Sequence, residues 1–317
     1  MTEDLIREAE KRAYWDTTQW ENEERNKKVL PKPRTITEVS VERKAEKELE
    51  LVAPSTGYPD LDLIIKGFIP GHLYTLTGVE NVGKTSLACN FAVRVGRQGK
   101  KVLYFALEPE NTVIDYLASV RCDKKFGDLT QEETEFDDGT IHIYGKQEIS
   151  KIEDLVETVK QSDRYDLIII DHIGYFIHGE KDWIQEQSNT IKLLVGLAKE
   201  KGCAVLLIAH LRKRAPGQKK SYTPTNDDIS GSGAFKQDST EVMIVTRSLE
   251  GSEDEVTYSD EGFLFVTKTK CGPNGRIKLI FSDRKANIAS WGEQQLKLEQ
   301  DRVRMLAEIQ DSGQEEF

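Results

Sequence analysis

The chain has 317 residues, 38% hydrophobic and 31% charged, an ordinary mixture for a water-soluble protein that can bury one large core or two modest ones. No stretch of about 18 apolar residues occurs, and the start Met1-Thr2-Glu3-Asp4 has no basic segment followed by an apolar one, which argues against a membrane span or a secretory signal and predicts a cytoplasmic protein. A net charge of −11 excludes a broadly cationic nucleic-acid binder, so any such surface must be one focused patch; four dispersed cysteines (Cys89, Cys122, Cys203, Cys271) without a C-x-x-C pair argue against a zinc module or a disulfide framework and predict reduced, mostly buried thiols.

Residues 1 to about 28 are dense in Glu, Lys and Arg, with a thin apolar series of Leu5, Ile6, Ala9, Ala13 and Trp20, the pattern of a polar helix that is marginal alone. Pro31 and Pro33 break it, and a second charged segment, Val41 to Leu51, leads toward the core. Two readings stand for this charged helical arm, residues 1–51: a solvated tail, or an arm docking on a neighbouring subunit. At Pro54 the texture changes, and Gly57 to Gly71 reads as a turn, a short amphipathic helix and a Gly/Pro-rich lead into the first strand. The compact domain is expected over residues 52–291.

The run His72 to Thr77 precedes Gly78-Val79-Glu80-Asn81-Val82-Gly83-Lys84-Thr85-Ser86, and Leu87, Ala88, Phe91, Ala92 and Val95 then follow at helical spacing. A G-x-x-x-x-G-K-T sequence between strand and helix reads as a phosphate-binding loop rather than a chance Gly-rich turn. Its glycines let backbone N–H groups curl around a triphosphate at the positive end of the helix; Lys84 reaches the β- and γ-phosphates and Thr85 offers a hydroxyl to Mg²⁺. Further strands are expected at Lys101 to Leu107, Ile141 to Tyr144, Leu167 to Asp171 and Cys203 to Ala209, with helices at Asn111 to Arg121, Lys151 to Lys160 and Trp183 to Lys201 between them. The unbroken apolar run Leu167-Ile168-Ile169-Ile170 predicts a strand of a parallel sheet buried on both faces. Strands at Glu241 to Thr246, Gly262 to Thr267 and Ile277 to Phe281 have hairpin texture around the turn Gly272-Pro273-Asn274-Gly275, so the fold class is α/β with antiparallel additions. Residues 292–317 form a charged helix or tail.

In an open parallel sheet, functional groups gather at the carboxyl ends of strands, where Glu108, Asp171 and His210 stand. Asp171 suits the Mg²⁺ shell. Glu108 suits a general base polarising a water, although an acid at a helix start reads the same way. His210 is placed to sense the γ-phosphate and pass its presence into the loop that follows, with a structural histidine as the bland alternative. That loop carries Arg212, Lys213, Arg214, Lys219 and Lys220 without an acid, around Pro216 and Gly217: a mobile cationic element for a single strand, or a solvated charged loop. His72, His142, His172 and His178 show no metal-ligand spacing.

Taken together, Pro54 to Ser86, Phe105-Ala106-Leu107-Glu108, Leu167 to His172, Ala209-His210-Leu211-Arg212-Lys213 and Asp228 to Gln237 resemble, in order, the motifs of RecA-fold hexameric replicative helicases. The similarity covers roughly residues 52 to 290 and is greatest to the phage primase-helicase and mitochondrial Twinkle group, whose sensor is His. It implies a RecA-like P-loop NTPase core with a mostly parallel central sheet and C-terminal antiparallel hairpin strands. It also implies a ring, taken as a hexamer, with ATP and Mg²⁺ at subunit interfaces, Glu108 as catalytic base, His210 as phosphate sensor and single-stranded DNA in the centre, moved 5′ to 3′. Residues Ile173 to Asp182 and Leu211 to Asp228 would face that channel. Primase or polymerase are the implied replication partners, in a setting that includes phage or plasmid systems.

Two departures stand out. Family members carry Lys-x-Arg on the hairpin after the Gly-Ser-Gly segment, the Arg reaching a neighbour's γ-phosphate; here the stretch is Lys268-Thr269-Lys270, which makes Lys270 the expected finger, with Arg276 as substitute. Phe281 stands near the position of an adenine-stacking aromatic, or is a buried strand residue. No room exists in the residues before the core for a priming module, so priming is not expected. Competing with the helicase reading are a RecA- or RadA-like recombination ATPase that forms filaments and a non-enzymatic ATP switch of the helicase-loader type.

Overall fold

The computed structural model describes residues 33–107, 109–137, 139–177, 183–211, 225, 233–251, 256–282 and 285–312. The helix expected in residues 1–28 lies outside them. The chain divides between Lys47 and Glu48 into two units, and the second holds the sheet and every site residue described below. Helix α1 (Ile36–Val52) runs through the division; Thr35 and Glu38 exchange backbone-to-side-chain bonds at its start, a capping box that satisfies two N–H groups.

In chain order the remaining elements are α2 (Pro59–Ile65), β1 (Leu73–Gly78), α3 (Lys84–Gly96), β2 (Val102–Ala106), α4 (Glu110–Cys122), α5 (Gln131–Thr134), β3 (Ile141–Gly145), α6 (Ile152–Gln161), β4 (Leu167–Asp171), α7 (Trp183–Lys201), β5 (Ala204–His210), α8 (Ala234–Asp238), β6 (Glu241–Gly251), β7 (Val256–Lys268), β8 (Gly275–Ser282), β9 (Lys285–Ser290) and α9 (Trp291–Ser312). They build one nine-stranded sheet of order β3-β2-β4-β5-β1-β6-β7-β8-β9. Pairing is parallel from β3 to β6 and antiparallel from β6 to β9. The mostly parallel sheet with antiparallel terminal strands is the architecture expected from the alternation of apolar strands and amphipathic helices.

Successive side chains of a strand point to opposite faces, so each central strand feeds two cores. Tyr74, Leu76, Tyr104, Ile169, Leu206 and Ile208 meet α2, α3 and α4 on one face. Leu73, Leu103, Phe105, Ile168, Ile170, Val205 and Leu207 meet α6 and α7 on the other. Cover on both faces is why β4 is apolar without alternation and buried throughout. All four cysteines are free; Cys89 and Cys203 are buried, Cys122 and Cys271 half-buried.

Two features depart from the sequence reading. β6 and β7 extend well past Thr246 and begin well before Gly262, forming a long hairpin beyond the end of β1. β9 has no counterpart in that reading, because its inward side chains Ala286, Ile288 and Ser290 make a weak apolar pattern. Its backbone is held instead by polar side chains of the helices: Asn90 Nδ2 donates to Ala286 O (2.7 Å), Asn90 Oδ1 accepts from Ile288 N (3.0 Å), and Ser119 Oγ accepts from Ala286 N (3.0 Å). A fully buried Asn90 is stable only because these bonds satisfy its amide.

Candidate active site

At its carboxyl end β1 runs into the loop 79–83 and then α3. Asn81 and Gly83 adopt φ of 59° and 103°, the left-handed region. A Cβ on Gly83 would lie 2.9 Å from Phe281 Cε1, and one on Gly78 would lie 2.8 Å from the Val245 carbonyl, so packing demands glycine at both. Val82 is fully buried and anchors the loop. The N–H groups of Lys84, Thr85 and Ser86 precede the first bond of the helix, Leu87 N to Gly83 O, and so point out of its positive end. Lys84 is 7% exposed and donates Nζ to Val79 O at 2.8 Å, its ammonium folded over the loop. The Ser86 hydroxyl donates to Ala286 O of β9 at 3.1 Å.

β4 and β5 bring the other groups alongside. Asp171, 1% exposed, ends β4 and accepts at Oδ2 from the Tyr104 hydroxyl of β2 at 2.9 Å. Burial, and then the Asp171 charge, hold the Tyr104 pKa well above the ordinary phenol value, so that hydroxyl remains a donor. His210 ends β5 in register with Gly78. Burial first, then the Lys84 ammonium and His172, push the His210 pKa down to about 4, which leaves a neutral imidazole at neutral pH. Its Nδ1 is buried without a hydrogen-bond partner. Glu108 lies outside the described residues; its neighbour Leu107 donates N–H to Asp171 O at 2.8 Å, joining the ends of β2 and β4.

The antiparallel strands reach the loop from the other side. Phe281 of β8 is 6% exposed, with its edge toward Gly83 and the Arg247 guanidinium 4.5 Å from its ring centre. Arg247 of β6 is fixed by donating Nε to Ser259 O (2.7 Å), and the Tyr258 hydroxyl of β7 donates to Glu80 O in the phosphate loop (3.0 Å). Lys270 is exposed just past β7, and Arg276 is exposed on β8 with its guanidinium 5.0 Å from the Phe263 ring centre. Lys268 Nζ donates to the carbonyls of Lys236 (2.7 Å), Gln237 (3.0 Å) and Ser239 (2.6 Å), a cation at the carboxyl end of α8. Arg212, Lys213, Arg214, Lys219 and Lys220, and residues 178–182 and 226–232, lie outside the described residues.

Sequence reasoning passed over Tyr104, His172, Arg247, Tyr258 and Lys268 as site residues. Only His172, directly after Asp171, and Lys268, first of the Lys-x-Lys pair, carried a local signal. The donor set suits a magnesium–triphosphate: an ammonium and helix N–H groups for phosphate oxygens, the Thr85 hydroxyl and the buried Asp171 carboxylate for a hard cation. Among the described residues no group of three or more His, Cys, Asp and Glu could hold a metal.

Residues 54–290 match the family model described as the DnaB-like helicase C-terminal domain. The replicative DNA helicase DnaB of Mycoplasma genitalium is 26% identical over 271 residues, 77% of this chain and 58% of the relative. That of Geobacillus stearothermophilus is 26% identical over 263 residues, 76% of this chain and 57% of the relative. The chain thus spans little more than half the length of these relatives. Among solved structures, an isolated ATPase domain superposes with a TM-score of 0.66 at 18% identity, covering 81% of this chain and 99% of that one. A DnaB-like replicative helicase, studied with its interactions with primase, superposes at 0.64 with 17% identity, covering 75% of this chain and 63% of that one. The fold is therefore RecA-like, and with the phosphate loop, Asp171 and His210 at three neighbouring strand ends inside the matched stretch, the chain belongs to the family of DnaB-like helicase C-terminal domains.

Proposed function

We propose that this chain is the ATP-driven motor domain of a replicative-type DNA helicase, hydrolysing ATP between subunits of a ring, taken as a hexamer, and moving 5′ to 3′ on single-stranded DNA. The observation that carries this reading is the convergence of the phosphate loop, Asp171 and a neutral His210 at the carboxyl ends of the adjacent strands β1, β4 and β5. Lys84 and the N–H groups of residues 83–86 hold the phosphates, while Thr85 and Asp171 hold Mg²⁺, which when bound neutralises phosphate charge. Glu108 orients and deprotonates the attacking water, and His210, an uncharged hydrogen-bonding group, reports the γ-phosphate. Phe281, faced by Arg247 beside the loop, provides the flat surface for the base. Lys270, or Arg276, completes a neighbour's site, and Arg212, Lys213, Arg214, Lys219 and Lys220 track the strand. Primase or polymerase would be the partners at a fork.

The test is ATP turnover with and without single-stranded DNA, together with particle imaging under a non-hydrolysable ATP analogue. Closed rings and turnover stimulated by at least about tenfold are expected, both lost in Lys84→Ala, with the stimulation lost in the combined Arg212→Ala, Lys213→Ala, Arg214→Ala variant. Filaments that pair strands without unwinding would point to a recombination ATPase, and negligible stimulation to a nucleotide switch.

A further inference from the structure

His172 stands between the metal-holding carboxylate of Asp171 and a tight turn, yet nothing in the proposed chemistry uses it. Its ring lies edge-to-face with the His210 imidazole, centroids 4.4 Å apart and planes at 81°. Its Nδ1 accepts the Gly174 N–H at 2.9 Å, and its carbonyl accepts from Tyr175 N at 3.2 Å, so the residue caps the 3₁₀ turn Ile173–Phe176. The approach is close enough that a Cβ on Gly174 would fall 2.5 Å from His172 Cε1 and 2.7 Å from Nδ1. With its Nδ1 accepting, a neutral His172 carries its proton on Nε2, so the same ring that caps the turn also packs against His210.

His210 lacks any hydrogen bond at its own buried Nδ1, so the position of its ring rests on packing. With ring centroids 4.4 Å apart, the two imidazoles pack directly on one another, and a close-packed pair resists movement of either ring toward the other. We infer that His172 is a positioning residue for the phosphate sensor, bracing the His210 ring and coupling its position to the turn Ile173–Phe176. On the motor reading, one ring contact then links the sensor at the end of β5 to the chain leaving β4.

The test measures the affinity of the full chain for single-stranded DNA with and without a non-hydrolysable ATP analogue, the ratio of the two being the coupling. His172→Asn keeps an acceptor for Gly174 N and removes the ring; His172→Phe keeps a ring and removes the acceptor. We expect His172→Asn to lower the ratio by at least about fivefold, and His172→Phe to keep it within about twofold, with analogue affinity and Tm close to the parent in both. A ratio unchanged in His172→Asn overturns the inference, as does equal loss in both variants, which would assign the effect to the turn cap. A parent protein whose DNA affinity ignores the nucleotide overturns the motor reading itself, and the inference with it.

Discussion

The two halves of the sheet serve the site differently. In the parallel half the functional groups stand at strand ends: the loop after β1, Asp171 closing β4, His210 closing β5. In the antiparallel half they stand within strands: Arg247, Tyr258 and Phe281 project from β6, β7 and β8, whose length carries them past the end of β1. Parallel strands all finish on one edge, so their ends converge without long side chains. Antiparallel strands have no common end and must reach sideways. The parallel half thus supplies the candidate groups for phosphate and metal, and the antiparallel half packs against the loop, through Phe281 against Gly83 and Tyr258 on Glu80.

That division can be broken most severely at Gly83. Gly83→Ala meets both φ 103° and a Cβ 2.9 Å from Phe281, and should cost about 3 kcal/mol with loss of nucleotide binding, read by chemical denaturation and titration with ATP. Gly99→Ala, at φ 71° in open space, is the control, with a cost of about 1 kcal/mol and normal binding. Equal costs would show that the Phe281 contact does not constrain the loop. Next comes Lys268→Met, which strips three carbonyls of their cation and should destabilise by about 1–2 kcal/mol and lower DNA-stimulated turnover. A loss of stability without a loss of turnover would mark Lys268 as a structural cation only.

Tyr258→Phe removes a single hydroxyl bond to Glu80 O and is expected to raise KM for ATP by about three- to fivefold with little change in kcat; a fall in kcat instead would move Tyr258 from shaping the loop to assisting chemistry. A further comparison concerns pH dependence. His210 has its folded pKa near 4 against 6.5 for a free imidazole, so the folded chain binds fewer protons between those values. Its contribution to stability is therefore complete above pH 6.5 and is lost as the pH falls toward 4. Denaturation of His210→Gln at pH 7 and pH 5 should show a shallower loss on acidification than the parent; an identical slope would mean that His210 is solvated and free to charge.

Much of the parallel half was legible in the sequence because its signals are local. The G-x-x-x-x-G-K-T run, the apolar strand ending in Asp171 and the helical spacing after Lys84 each span fewer than about twenty residues, and backbone rules convert them directly into loop, strand and helix. β9 was not legible, since Ala286 and Ser290 carry little apolar signal and the strand is held by Asn90 and Ser119 from distant helices. The long β6–β7 hairpin was under-read for a related reason: where it extends past β1, its outward residues pair with each other across the hairpin and need not be apolar.

By itself, then, the sequence determined the strand-loop-helix around the G-x-x-x-x-G-K-T run and the strand-terminal positions of Asp171 and His210, because these are set by short-range spacing. Only the tertiary structure decided what holds them. Tyr104 is paired with Asp171 across 67 residues, Tyr258 with Glu80 across 178, and His172 with His210 through the adjacency of β4 and β5. Such contacts follow from strand order and pleat, and a chain written in one dimension carries no local mark of which strand will become its neighbour. The G-x-x-x-x-G-K-T run announces a nucleotide site; strand order decides that Phe281 and Tyr258 pack against its loop and that His172 lies against His210.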